Sequence, residues 1–383
     1  MIYLDNNATT RPTDAVIEAV VTSMRKHFIN PSAIAADVCG ADRPRRAVVG
    51  AMTRLIDAEE EECIFFTSGA TESNNWVFGP IVEKCVGRTI VISAIEHPSV
   101  TEPAEALQAR GFRVVVVGVD RSGRVKLDDL AEALNEEVAL VSIMAANNET
   151  GVIQPIEEIG RLVREHSPSA LFHTDATQAI GKIRIDVQEA WDDVDLISFS
   201  AHKFHGPRGI GGLYVRPGIE ITPMLLGGGQ ESGMRSGTTN VPALAGLAKA
   251  AELAAEHESI TCEIRDAFEV GVGDAFPDAV IHSSDADRLP NTSCISFPGT
   301  AAEDVGLALA HAGVVVGTGA ACSSGSMAPP KTLIAMGVPY DLANAAIRIS
   351  TSRMTTEVEI QSALAALNRV IAAARASRVP QIA

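Results

Sequence analysis

The chain has 383 residues, 46% of them hydrophobic, and a formal net charge of -17 at pH 7. That length accommodates two domains with sizeable cores, and no stretch approaches the roughly 18 uninterrupted apolar residues of a membrane span. An acidic surface repels phosphates, which argues against non-specific binding to nucleic acid.

The opening "MIYLDNNATTRP" has neither a basic n-region nor an apolar h-region, so a cytoplasmic location is expected. From residue 60 to 216, short apolar runs alternate with longer amphipathic stretches, the pattern of an α/β sheet. The strand candidates, in order, are "CIFFTS", "TIVISA", "RVVVVGV", "ALVSIMAA", "ALFHTDA", "DLISFSA" and "GGLYVR". Several are continuously apolar, as parallel strands buried on both faces are.

Five of these runs end in polar or turn residues: "GATESNN", "IEHPSV", "NNETG", "TDATQAIG" and "AHKFHGPRG". Ligands of open α/β sheets bind outside the carboxyl ends of the strands, so five such endings predict one shared polar site. From about residue 245 the texture changes to alanine-rich helix, followed by strands near "NTSCISFP" and "GVVVGTG" and a last helix around 356–376. The expected organisation is a large α/β domain over residues 15–245. A smaller α+β domain is expected from residues 1–14 and 246–383.

The polar endings carry a specific chemistry. "FFTSGATESNNWVF" reads as strand, glycine turn and helix, where backbone N–H groups with Thr71 and Ser68 can hold a phosphate, although a plain capping turn looks the same. Asp175 at a strand end can cap a helix or keep a pyridine nitrogen protonated. His97 can be a core histidine, or can stack on a planar ring and move protons. Lys203, between His202 and His205 where a strand ends, is placed as a Schiff-base amine for a cofactor aldehyde whose phosphate Thr71, Ser200 and His202 hold. Together these form the set that pyridoxal phosphate requires.

The six cysteines, Cys39, Cys63, Cys85, Cys262, Cys294 and Cys322, include no C-x-x-C pair or zinc spacing, so free thiols and no metal are expected. Cys322 differs from the rest: "GTGAACSSGSMAPP" is small, polar and turn-rich, a setting for an accessible thiol.

The motifs "YLDNNATT", "FTSGATESNN", "EHPSV", "NNETG", "TDATQAIGK", "SFSAHKFHGPRGIGGLYVR", "GGGQESGMRSGTTN", "GTGAACSSG" and "IRIS" stand in this order along the chain. In them the chain resembles, over essentially its full length, the NifS/IscS-like cysteine desulfurases of the class V aminotransferase family. The resemblance implies a fold-type-I pyridoxal-phosphate transferase, dimeric, with a large, mainly parallel α/β sheet domain and a smaller α+β domain. It implies Lys203 as the lysine that binds the cofactor, Asp175 on the pyridine nitrogen and His97 stacked on the ring. Asn148 and Gln178 would lie near the phenolic oxygen. Ala70, Thr71, Ser200 and His202 would hold the phosphate, with Thr238 reaching in from the partner subunit. Arg348 would clamp the substrate carboxylate, with Asn6 and Asn7 near the substrate. Cys322 would take sulfur from L-cysteine as a persulfide, leaving L-alanine, and pass it to an acceptor protein.

Two stretches depart from the family pattern. "NPSAIAADVCG" has Ala35 where histidine is common, and Ser352 stands where relatives often carry glycine. A selenocysteine lyase, or a class V enzyme such as an aminotransferase, remains open on the sequence. The acceptor does too: iron–sulfur assembly, tRNA or cofactor thiolation and DNA phosphorothioation all draw on such enzymes.

Overall fold

The computed structural model describes residues 1–58, 63–255, 260–319 and 328–378; Cys322 lies outside the described residues. The strands among them are β1 (Ile2–Leu4), β2 (Ile64–Thr67), β3 (Thr89–Ser93), β4 (Arg113–Val117), β5 (Val138–Ser142), β6 (Leu171–Asp175), β7 (Leu196–Ser200), β8 (Gly211–Val215), β9 (Val280–His282), β10 (Thr292–Ser296), β11 (Val314–Val316) and β12 (Ala346–Ser350).

Strands β2 to β8 are the seven apolar runs, and they form one sheet in the order β2-β8-β7-β6-β5-β3-β4. Every pairing is parallel except those of β8, which runs antiparallel to both β2 and β7. The carboxyl ends of β2, β3, β5, β6 and β7 therefore emerge along one edge. Both faces are covered, which is why these strands lack polar alternation. Val141, Ile197 and Tyr214 join a core with Ile159 and Val163 of the helix Ile156–His166. Their neighbours Leu140, Leu196 and Leu213 point the other way, onto Val100, Ala104 and Leu107 of the helix Pro98–Gln108. Truncating one of these, such as Leu140→Ala, costs about 2–5 kcal/mol.

The helix Val241–Ala254 contains residue 245 and packs against the helices Asp14–Lys26 and Arg43–Leu55. Beyond it, β12, β10 and β9 form an antiparallel sheet, and β1 pairs in parallel with β11. An apolar cluster built from Leu4 and residues between Phe268 and Ile371 lies with this part. The last helix, Glu357–Arg378, contributes Ile360, Ala363, Leu367 and Ile371, a helical stripe three to four residues apart. Bridges Asp5↔Ser350 and Gly317↔Arg348 tie the chain start and the end of β11 to β12.

Candidate active site

The strand ends converge on a cavity of about 370 Å³. Ala70 and Thr71 line it from beyond β2, His97 from beyond β3 and Asn148 from beyond β5. Asp175, Gln178, Ser200, His202 and Lys203 line it from β6, β7 and the turns after them, and Asn7 and Arg348 close it from the other part of the chain. Eleven residues expected at the site are thus brought together.

Four are not. Thr238 is exposed and lines a separate pocket, with Ser68 beside it. His205 is buried away from the cavity, its Nδ1 bonded to the Arg11 carbonyl at 2.8 Å. Asn6 is buried with its amide donating to the Ser350 carbonyl at 2.8 Å. Neither Asn6 nor Ser68 lines this cavity: Asn6 turns inward as backbone scaffolding and Ser68 is exposed.

At one end of the cavity, Ser200 finishes β7 and its Oγ accepts from the Ala70 N–H at 2.7 Å. This contact needs β8 close against the turn. A Cβ on Gly211 would lie 2.3 Å from the Phe199 carbonyl oxygen and 2.7 Å from the Gly69 Cα, so only glycine permits it. His202 stands nearby, bonded to Thr9 Oγ1 at 3.1 Å. Burial, together with Lys203, Arg208 and Lys182, pushes its pKa down to about 4, so it is neutral at pH 7.

Asp175 is 5% exposed. Its Oδ1 accepts from the Thr177 N–H at 2.9 Å and its Oδ2 from Asn74 Nδ2 at 2.8 Å. Among the described residues no lysine, arginine or histidine forms an ion pair with it. A buried carboxylate without a cation calls for one in the cavity.

The same Asn74 amide donates to Ser99 Oγ at 2.9 Å, which meets His97 Nδ1 at 2.8 Å. His97 Nδ1 also accepts the Ser99 backbone N–H at 3.0 Å, so the neutral ring carries its proton on Nε2. Burial holds the His97 pKa below the ordinary value, with Asp175 opposing and Lys203 reinforcing the shift.

Lys203 follows β7 in a short turn and donates to the carbonyls of Asn7 (2.7 Å) and Ala8 (2.9 Å). Arg348, 4% exposed on β12, gives Nη1 to the Asn148 carbonyl at 2.9 Å and Nη2 to Asp5 Oδ1 at 2.5 Å. Asn7 Nδ2 donates to Thr292 Oγ1 and the Asn148 carbonyl, at 2.8 and 3.2 Å. Sequence reasoning assigned no task to Asp5, Asn74, Ser99 or Lys182. Asp5, Asn74 and Lys182 lie inside the quoted motifs "YLDNNATT", "FTSGATESNN" and "TDATQAIGK", and Ser99 inside "EHPSV", but their partners are remote in sequence.

The residues present fit pyridoxal phosphate: an amine, an unpaired buried carboxylate facing the same cavity, a neutral imidazole, and a hydroxyl and N–H end suited to a phosphate. Residues 2–362 match the family model "Aminotransferase class-V". A cysteine desulfurase of Gluconacetobacter diazotrophicus is 41% identical, over 98% of this chain and 94% of that protein. One from Cereibacter sphaeroides is 40% identical, over 98% and 97%. The solved structure of a NifS-like protein superposes with a TM-score of 0.90 at 38% identity, covering 97% of this chain and 99% of that one. The chain belongs to the class V aminotransferase family, among its pyridoxal-phosphate-dependent cysteine desulfurases.

Proposed function

We propose that this desulfurase moves sulfur from L-cysteine to its own Cys322 by the division of labour that follows. The observation that carries the reading is the gathering of Lys203, Asp175, His97 and Arg348 around one cavity. Ala70, Thr71, Ser200 and His202 hold the cofactor phosphate, with Thr238 of a second subunit, and Asn148 and Gln178 hold its phenolic side. Asp175 bonds the pyridine nitrogen and His97 covers the ring. Bound pyridoxal phosphate supplies an electron sink that acidifies the substrate Cα and loosens its sulfur.

Arg348 orients the substrate through its carboxylate, with Asn7 beside it. Lys203 binds the cofactor at rest and, when the substrate has displaced it, takes the proton from the substrate Cα. His97, neutral and protonated on Nε2, is the second group to hold and move protons. The Cys322 thiolate attacks the substrate sulfur; an S–S bond forms as the Cβ–S bond breaks, and the carbon skeleton takes up protons and leaves as L-alanine. The persulfide on Cys322 then carries the sulfur to an acceptor protein.

The homodimer is part of this proposal: Thr238, exposed and outside its own cavity, is available to a neighbouring subunit. So is the division into a large unit, 15–245, and a small unit from 1–14 and 246–383; the separate apolar cluster of Leu4 and residues 268–371 supports it. A cytoplasmic location accords with the lack of a disulfide among the five described cysteines.

The deciding experiment pairs the wild type with Cys322→Ala, measuring sulfide and alanine from L-cysteine with dithiothreitol present. Loss of both products, with the yellow cofactor band retained, is the expected result. Release of alanine and sulfide at the wild-type rate by the variant overturns Cys322 as the acceptor.

A further inference from the structure

A second amine stands behind the site. Lys182 Nζ donates to Gln178 Oε1 at 2.6 Å and to Asn7 Oδ1 at 3.1 Å. Gln178 Nε2 in turn donates to the Asn7 carbonyl at 2.9 Å, the oxygen that also accepts from Lys203. Lys182 and Lys203 both line a small cavity of about 50 Å³, and Lys203 lines the main one as well. None of the roles given above uses Lys182.

The donor inventory makes this contact decisive. A glutamine amide presents an acceptor at one end and two donors at the other, and the two ends have nearly the same shape. An ammonium has three donors and no acceptor, so it can bond only the oxygen end. Burial, with the charges of Lys203 and Arg348, holds the Lys182 amine well below the ordinary lysine pKa. The neutral amine has two N–H groups and a lone pair; here both Gln178 Oε1 and Asn7 Oδ1 are turned to it as acceptors. With Oε1 turned to Lys182 and one Nε2 hydrogen on the Asn7 carbonyl, the second Nε2 hydrogen is the donor that Gln178 can offer the main cavity.

We propose that Lys182 is a positioning residue that fixes the orientation of the Gln178 and Asn7 carboxamides, so that Gln178 presents a donor, and never its oxygen, to the phenolic oxygen of the cofactor. The inference rests on the reading of Gln178 as a neighbour of that oxygen. A donor there stabilises the oxygen's anionic form and weakens its hold on the proton it shares with the Lys203 nitrogen. Without the donor, that proton is held to higher pH.

The test follows the visible absorbance of the cofactor-loaded enzyme as a function of pH, without substrate. Gln178→Ala should move the spectral transition upward by about one pH unit, the size expected of one hydrogen bond to a charged oxygen. Lys182→Met should move it in the same direction, Lys182→Arg should restore it, and Lys182→Met added to Gln178→Ala should move it no further. No shift in Gln178→Ala overturns the placement of Gln178 itself. A shift in Gln178→Ala with none in Lys182→Met overturns the proposal alone. So does an undiminished Lys182→Met shift in the double variant, which would mean that Lys182 acts by its charge and not through Gln178. If Lys182→Met does not load with cofactor, Lys182→Arg decides: a wild-type transition supports the proposal, and the Gln178→Ala transition refutes it.

Discussion

Asp5 Oδ1 and Arg348 Nη2 lie 2.5 Å apart, joining a residue just after β1 to the guanidinium on β12. Arg348 also gives Nη1 to the Asn148 carbonyl, so its plane is fixed before any substrate arrives. A preset fork loses little freedom on binding a carboxylate. Asp5→Asn keeps the shape but removes the charge that holds the fork. The expected outcome is a roughly tenfold fall in kcat/KM for L-cysteine, about 1.4 kcal/mol, mostly as a higher KM. Steady-state kinetics decide it, and an unchanged KM would show that the fork needs no such brace.

Asp175→Asn replaces the buried carboxylate with a neutral amide while leaving a hydrogen-bonding side chain at the end of β6. Loss of preorganised charge at a developing centre costs on the order of 100-fold or more in kcat. Retained binding of pyridoxal phosphate with kcat near wild type would remove Asp175 from the catalytic set.

Asn74 joins Asp175 to Ser99 and His97 through the two hydrogens of one amide. Asn74→Ala frees both ends of that link and leaves a buried gap at a fully buried position. We expect a stability loss of about 1–3 kcal/mol and a drop in kcat/KM larger than that of Ser99→Ala. Denaturation and kinetics on the two variants check the order.

Gly211→Ala drives a methyl group into the Phe199 carbonyl and the Gly69 turn. Relief requires β2 or β7 to shift, at a cost of about 1–3 kcal/mol or more. Since the Ser200–Ala70 bond sits at that junction, weaker retention of pyridoxal phosphate should accompany the lower melting temperature. A stable variant that loses no cofactor on dialysis would refute this.

Acidification should unfold the protein early. His173, His205 and His282 are buried, and burial pushes each pKa down to about 4. His173 is clasped between Ser142 and Ser198, and His282 bonds Ser296. Folded-state values below the unfolded value of about 6.5 mean that the unfolded chain binds more protons, so stability is lost as pH falls from about 6.5 toward 4. Buried Glu96, pushed up to about 8, works the other way: its folded form keeps a proton that the unfolded form releases above about 4.5. With His202 also pushed down to about 4, the histidines outnumber the glutamate, so the unfolded chain takes up protons overall and stability falls with pH between about 6.5 and 4.5. Thermal melts across that range should fall steeply, and Glu96→Gln should change the slope.

Much of this molecule could be read before any coordinates. The seven central strands were legible because burial on both faces leaves no polar alternation to confuse them. The cavity was legible because five strand ends changed to polar residues together. The reversal of β8 was not, since an apolar run carries no direction. Neither β9 nor β12 was read as a strand: three residues, "VIH", are too few for a pattern, and Arg348 interrupts "AIRIS". Asn74, Asp5 and Lys182 escaped assignment for a different reason. Asn74 and Asp5 act on partners 101 and 343 residues away, and Lys182 joins its near neighbour Gln178 to Asn7, 175 residues away, which no local pattern records.

Those long separations also bear on how the protein is made. The Asn7 and Ala8 carbonyls that receive Lys203 are held in place by a segment whose own partners are Gly313 to Val316 and Ser350. Loop closure over more than 300 residues cannot occur on a ribosome until Ser350 has emerged. The central sheet, with sequential strands mostly neighbours, has no such wait. Residues 2–8 are thus among the last to find their places, and the amine site is completed only when they meet residues 313–316 and Ser350.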